Sequence, residues 1–145
     1  MNTDLTIFYT DDDQEDLEFF KEIIDTLDVN VNVVTQRNGQ QLINALNNPP
    51  PTPHVVFLDI NMPGMNGFEI LKHVRNSLNN KHLPIVMFST SGDETAIEKS
   101  RELGASYYVQ KSSAFEQLKK SIEHALRINW DTFKAGKNNF VYNFR

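Results

Sequence analysis

The chain contains no cysteine. That excludes a disulfide framework and any zinc site built on thiolates. It also lacks an apolar run long enough for a bilayer-spanning helix. The opening "MNTDLTIFYT" has no basic region followed by a long apolar core, so no secretory signal is expected there. Positive charge is in deficit: 14 Lys and Arg against 19 Asp and Glu give a net charge of -5. Phosphate contacts need clustered Lys and Arg, so a direct nucleic-acid surface is not expected. These absences lead to the expectation of a cytoplasmic protein with no membrane contact. The 145 residues suit one domain with one substantial core.

What is present is a local excess of acid. The stretch "LTIFYTDDDQED" is an apolar run that stops at Asp11, Asp12 and Asp13. Like charges crowded at a strand end repel, so either they are solvated loop charges or a cation belongs among them. Further along, short apolar runs alternate with longer mixed stretches. Leu5–Thr10, Val31–Thr35, Val55–Asp59, Pro84–Ser89 and Ser106–Gln110 read as strands. Three of them are nearly continuous apolar runs, as in parallel strands buried on both faces. Helices are predicted over Asp16–Leu27, Gln40–Leu46, Gly67–Leu78, Glu94–Leu103 and Ala114–Ile128, from apolar residues spaced by three and four. Asp13 with Asp16 forms a candidate capping box, and Asn66 and Asp93 are candidate caps for the third and fourth helices. Gly104 falls where a helix end favours positive φ. "NNPPPTPH" and "PGMNG" mark breaks.

Strand–helix alternation implies an α/β fold with right-handed crossovers and helices on both faces of a parallel sheet. Sites in such sheets form at the carboxyl ends of the strands. Asp11 and Asp12 end the first strand, Asp59 the third and Ser89 the fourth, while Lys111 follows the fifth. All are expected at one sheet edge. Two unit charges about 4 Å apart cost roughly 4 kcal/mol at an effective dielectric near 20. A hard dication such as Mg²⁺ relieves that cost through carboxylate oxygens. With no histidine in the set, zinc and redox metals are disfavoured. Asp59 then stands as a candidate nucleophile toward a phosphoryl group, with Lys111 as a nearby point charge and Ser89 as a hydroxyl donor. The four histidines, His54, His73, His82 and His124, are scattered without metal-ligand spacing.

Four segments, "FYTDDDQED", "VVFLDINMPGMNG", "PIVMFSTSG" and "LGASYYVQKS", resemble in order and spacing the signatures of the response-regulator receiver domain of two-component signalling. The resemblance covers about residues 5 to 128 and implies a flavodoxin-like (βα)5 sheet with strand order 2-1-3-4-5. It implies a signalling module rather than an enzyme. Asp59 would accept a phosphoryl group from a histidine kinase or phosphotransfer protein. Asp11, Asp12, Asp59 and the Asn61 carbonyl would bind Mg²⁺, and Ser89 and Tyr108 would act as the switch pair. Asn61 and Ser91 would sit at positions that tune hydrolysis of the acyl phosphate. The α4-β5-α5 face would change shape for partner or self association. One departure is Ser112, where the family usually has proline. A trans Lys111–Ser112 bond is therefore predicted, because cis before a non-proline residue costs about 2.5–4 kcal/mol.

Two other readings compete. A phosphatase with an aspartyl-phosphate intermediate would want an acid/base aspartate where Asn61 stands. A flavodoxin-like cofactor binder would want a Ser/Thr/Gly-rich phosphate loop where the acidic run stands. Residues 129–145 extend past the domain expected over 1–128. They carry Trp130, Phe133, Phe140, Tyr142 and Phe144 with Lys134, Lys137 and Arg145. Expected outcomes for this extension are a continued helix folding back, a strand added to a sheet edge, or a homodimer contact shared with helices four and five.

Overall fold

The computed structural model describes residues 5–49, 54–133, 136 and 139–142. Lys134, Lys137, Phe144 and Arg145 of the extension lie outside these residues, as does part of the proline-rich break. The element order is β1 (Leu5–Thr10), α1 (Gln14–Asp25), β2 (Val31–Gln36), α2 (Gly39–Asn47), β3 (His54–Leu58), α3 (Gly67–Arg75), a 3-10 turn (Leu78–Asn80), β4 (Ile85–Ser89), α4 (Glu94–Glu102), β5 (Tyr107–Gln110) and α5 (Phe115–Arg127). The five strands form one parallel sheet in the order 2-1-3-4-5. This is the flavodoxin-like α/β fold.

The apolar runs became central strands for the reason the pattern suggested. β1, β3 and β4 are buried along nearly their whole length, whereas β2 alternates and leaves Val34 exposed at the edge. Two apolar clusters flank the sheet. One gathers Leu42, Ile70, Leu71 and Val74 from α2 and α3 against Phe8, Val56 and Met87. The other gathers Leu17, Phe20, Ile23 and Ile24 from α1 and Leu118, Ile122 and Ala125 from α5 against Tyr9, Phe57 and Phe88.

The caps were expected in three places and all three are there. Asp13, Asn66 and Asp93 cap α1, α3 and α4, and Asn66 with Glu69 closes a full capping box. The Asp13–Asp16 box is only half formed. Asp13 accepts the Glu15 and Asp16 N–H groups, but its own N–H donates to Asp11 Oδ1. Gly104 has φ 96°. Among the described residues no peptide bond is cis, so Lys111–Ser112 is trans as predicted.

Two helix ends differ from expectation. α3 stops at Arg75 rather than Leu78: Leu78 is 81 % exposed and joins neither apolar cluster of the described residues, so no burial rewards a further turn. α5 stops at Arg127, and Ile128 takes an extended ψ of 131°. The helix therefore does not continue past Trp130. Instead Trp130 and Phe133 return to Tyr107 as edge-on ring contacts. The chain then reaches the β5 edge. Tyr108 N–H donates to Phe140 O at 2.9 Å, and Tyr142 N–H donates to Tyr108 O at 3.0 Å. Val141 bridges Tyr108 in parallel, and Phe140 is buried. The extension thus meets the edge of β5 through one isolated bridge with its flanking backbone bonds, short of an added strand.

Candidate functional site

The carboxyl ends of β1 and β3 run side by side, with Thr10 opposite Leu58. The residues that follow each strand therefore meet. Asp11 N–H donates to Gln36 O and Asp59 N–H donates to Thr10 O, so both aspartates are fixed by backbone bonds to a neighbouring strand. Asp11, Asp12 and Asp59 each offer an oxygen within 4.8 Å of the others. Asp11 and Asp59 are buried and Asp12 is half-buried, open to solvent on one side.

The α3 side of the pocket depends on close backbone approach. Gly67 N–H donates to Ile60 O at 2.8 Å. A Cβ on Gly67 would lie 2.4 Å from Asp59 O and 2.7 Å from Ile60 Cα. Only glycine lets α3 start so near the chain that carries Asp59.

Lys111 enters from the end of β5, where its N–H donates to Ser89 O at 2.7 Å. Its Nζ lies 2.6 Å from Asp11 Oδ2, 2.9 Å from Asp16 Oδ2 and 3.5 Å from Asp59 Oδ1. Asp11 Oδ2 also accepts the Tyr9 hydroxyl at 2.6 Å. The expected Lys111–Asp59 pair is thus the longest of three. Burial alone would lower the Lys111 ammonium, but Asp11, Asp59 and Asp16 outweigh it and raise it. Burial pushes the Asp59 carboxyl up to about 6; Lys111 and the Asn61 N–H pull it down, and Asp11 pushes it up. Burial and then Asp11 raise the Tyr9 phenol, which keeps it a donor.

Ser89 is fully buried at the end of β4, and its hydroxyl oxygen accepts the Ser91 N–H at 3.2 Å. The Tyr108 hydroxyl donates to Ser91 O at 2.8 Å, and its ring is fully buried. Burial raises its phenol, with the Ser89 and Ser91 contacts acting in the opposite sense. Beside the pocket lies an open cleft of about 370 Å³, lined by Glu15, Asp16, Phe19, Thr90, Lys111, Ser112 and Ser113. The triad offers oxygen ligands only and keeps one side open. That donor set fits a hard dication that retains water, such as Mg²⁺.

The model of the response regulator receiver domain matches residues 7–123. The chain belongs to the response-regulator receiver family. A receiver is a signalling module rather than a catalytic enzyme. The chain is 25 % identical over 127 residues to response regulator Rcp1 of Synechocystis sp., covering 84 % of this chain and 86 % of that protein. It is 29 % identical over 136 residues to two-component response regulator ARR17 of Arabidopsis thaliana, covering 87 % and 88 %. Among solved structures, the phosphorylated cyanobacterial phytochrome response regulator RcpA superposes with a TM-score of 0.76 at 26 % identity, covering 93 % of this chain and 98 % of that one. The Mn(2+)-bound form of Rcp1 superposes with a TM-score of 0.74 at 23 % identity, over 90 % and 98 %.

In this receiver the opening acidic run divides its labour: Asp11 and Asp12 join Asp59, while Asp13 caps α1. Sequence reasoning missed two neighbours of the pocket. Tyr9 shares a strand face with Asp11, two residues away, which the period of two would have signalled. Asp16 was read as half of a capping box, but its carboxylate turns to Lys111 instead.

Proposed function

We propose that this receiver accepts a phosphoryl group on Asp59 from a histidine kinase or phosphotransfer protein, as part of a cytoplasmic two-component phosphorelay. The observation that carries the reading is the convergence of Asp11, Asp12 and Asp59 within 4.8 Å, with Lys111 Nζ 3.5 Å from Asp59. A relative crystallised in a phosphorylated form and another bound to Mn²⁺ support it.

Asp11, Asp12 and Asp59, with the Asn61 carbonyl as a further ligand, would hold Mg²⁺. When bound, the ion supplies neutralisation of the charge that builds on the transferring oxygens. An Asp59 oxygen attacks phosphorus in line with the bond to the donor. The new P–O bond forms as the donor's P–N bond breaks. The electron pair stays on the imidazole nitrogen, which leaves as neutral imidazole when its other nitrogen carries a proton. Lys111 meets one phosphoryl oxygen and the Ser89 hydroxyl donates to another. Ser91 and Asn61 flank the product and tune water access to the acyl phosphate.

Output follows from the same atoms. Movement of Ser89 toward a phosphoryl oxygen alters the Ser89–Ser91–Tyr108 contacts, and with them the face formed by α4, β5 and α5. That face, together with the extension laid on β5, is the surface for partner or self association. Sizing the protein with and without beryllofluoride tests self association. A size that is the same in both states leaves a separate partner as the output.

The acceptor reading is tested by mass. Incubation with Mg²⁺ and acetyl phosphate is expected to add one phosphoryl group to the wild type and none to Asp59→Asn. An unmodified wild type, or equal modification of the variant, defeats the reading.

A further inference from the structure

Lys111 has three donors and three carboxylates in reach, and it does not share itself equally. The two short contacts go to Asp11 and Asp16, and the long one to Asp59. Asp16 stands outside the acidic triad. It sits in the first turn of α1, a mount fixed by the Asp13 cap, to which Asp16 N–H itself donates. The Asp16–Lys111 pair therefore ties α1 to the β5–α5 loop across the mouth of the pocket, over 95 residues of chain.

Asp11 is poorly suited to hold the ammonium alone. Its Oδ2 already accepts the Tyr9 hydroxyl and its Oδ1 the Asp13 N–H. Each carboxylate oxygen offers about two lone-pair directions, so one is left on Oδ2 and the ammonium fills it at 2.6 Å; any second short contact must come from another carboxylate. Asp16 supplies the second short contact. With two carboxylates drawing Nζ away, Asp59 keeps an oxygen that no ammonium caps at close range. At 3.5 Å the ammonium is still near enough to meet an oxygen of a group arriving on Asp59.

We propose that Asp16 is a positioning residue for phosphoryl uptake: its carboxylate withholds Lys111 from a close pair with Asp59 and keeps the ammonium beside the reacting oxygen. This rests on Asp59 being the acceptor. Without Asp16, the strongest uncrowded attraction on Nζ comes from Asp59, so the lysine slides onto the nucleophile.

Asp16→Asn keeps size and shape while removing the charge. With acetyl phosphate, its phosphorylation is expected to be about fivefold slower than wild type, as fits the loss of one partly exposed ion pair. In a Lys111→Ala background the same change is expected to alter the rate by less than about 1.5-fold, because the residue through which Asp16 acts is gone. A wild-type rate in Asp16→Asn, or an equal loss without Lys111, overturns the proposal. A second readout needs neither donor nor metal. The side-chain ammonium nitrogen resonance of Lys111, assigned by its loss in Lys111→Ala, is expected to respond weakly to Asp59→Asn in the wild type. In the Asp16→Asn protein it is expected to respond strongly. Equal responses in the two backgrounds also overturn it. If the wild type takes up no phosphoryl group, the acceptor reading falls, and the ammonium resonance still decides whether Asp16 sets the partner of Lys111.

Discussion

Burial holds the Asp59 carboxyl at about 6, well above its ordinary value of 3.8. The folded state therefore binds a proton more tightly than the unfolded chain. Stability from that proton is full below about pH 4 and is lost as pH rises through about 6. At neutral pH the ionised group is a liability on the order of 3 kcal/mol. Asp59→Asn is thus expected to melt at a higher temperature than wild type at pH 7.5 in a chelator, with the gap closing near pH 4. Thermal unfolding at both pH values checks this, and a gap that is constant with pH would rule out the titration as its source. Gly67 makes a second residue-scale case. Its Cβ would meet the Asp59 carbonyl oxygen and Ile60 Cα, both backbone atoms that no side-chain rotation can clear. Gly67→Ala is expected to cost roughly 2 kcal/mol in denaturant unfolding. It should also slow acetyl phosphate uptake, because the segment carrying Asp59 must move. Unchanged uptake would mean that α3 yields instead.

At the scale of elements, the sheet was legible because burial on both faces leaves a plain mark. β1, β3 and β4 read as apolar runs and are buried as such. α1 was legible because Leu17, Phe20, Ile23 and Ile24 share a face. The ends were harder, since periodicity says which residues share a face but not whether anything covers it. Leu78 keeps the phase of α3, yet it is left 81 % exposed. The convergence of Asp11, Asp12 and Asp59 followed from topology alone. The choice of Asp16 between Asp13 N–H and Lys111 did not, because it depends on a side chain arriving from β5. The extension was ambiguous for the same reason: its aromatics announced a contact but not which edge would receive it. That edge is β5, with Phe140 against the Tyr108 ring at 6.4 Å and Tyr142 against His124 at 5.1 Å. One aromatic belongs to each apolar cluster, so the segment clips the sheet edge from both sides. Phe140→Ala removes one jaw and is expected to cost about 3 kcal/mol. Hydrogen exchange at the Tyr108 amide, which donates to Phe140 O, should quicken while the Ile7 amide in β1 stays protected. Equal protection of Tyr108 in both proteins would show that backbone pairing alone holds the clip.

For the whole molecule, the question is whether the pocket and the clipped edge share one equilibrium. A continuous set of contacts joins them. Ser91 N–H bonds the Ser89 hydroxyl, Tyr108 bonds Ser91 O, and Tyr108 gives both its backbone groups to Phe140 and Tyr142. Met87 also pairs directly with Tyr108 across β4 and β5. Tyr108 is fully buried with its ring, its hydroxyl and its backbone all engaged, so a movement of Ser89 that disturbs Ser91 is expected to reach the seat of the extension. Linkage makes the effect reciprocal: if a phosphoryl mimic tightens the clip, loosening the clip must weaken the mimic by the same factor. Beryllofluoride with Mg²⁺ is expected to slow exchange at the Tyr142 amide, which donates to Tyr108 O. Phe140→Ala is expected to weaken beryllofluoride binding by about fivefold, within the 1–3 kcal/mol usual for coupled sites. Phe140 lies in the extension and not among the pocket residues, so a change in affinity at the pocket would have to travel through Tyr108. Calorimetric titration of both proteins decides the point. Identical affinities would separate the two ends of the molecule and leave the extension as a static brace on β5.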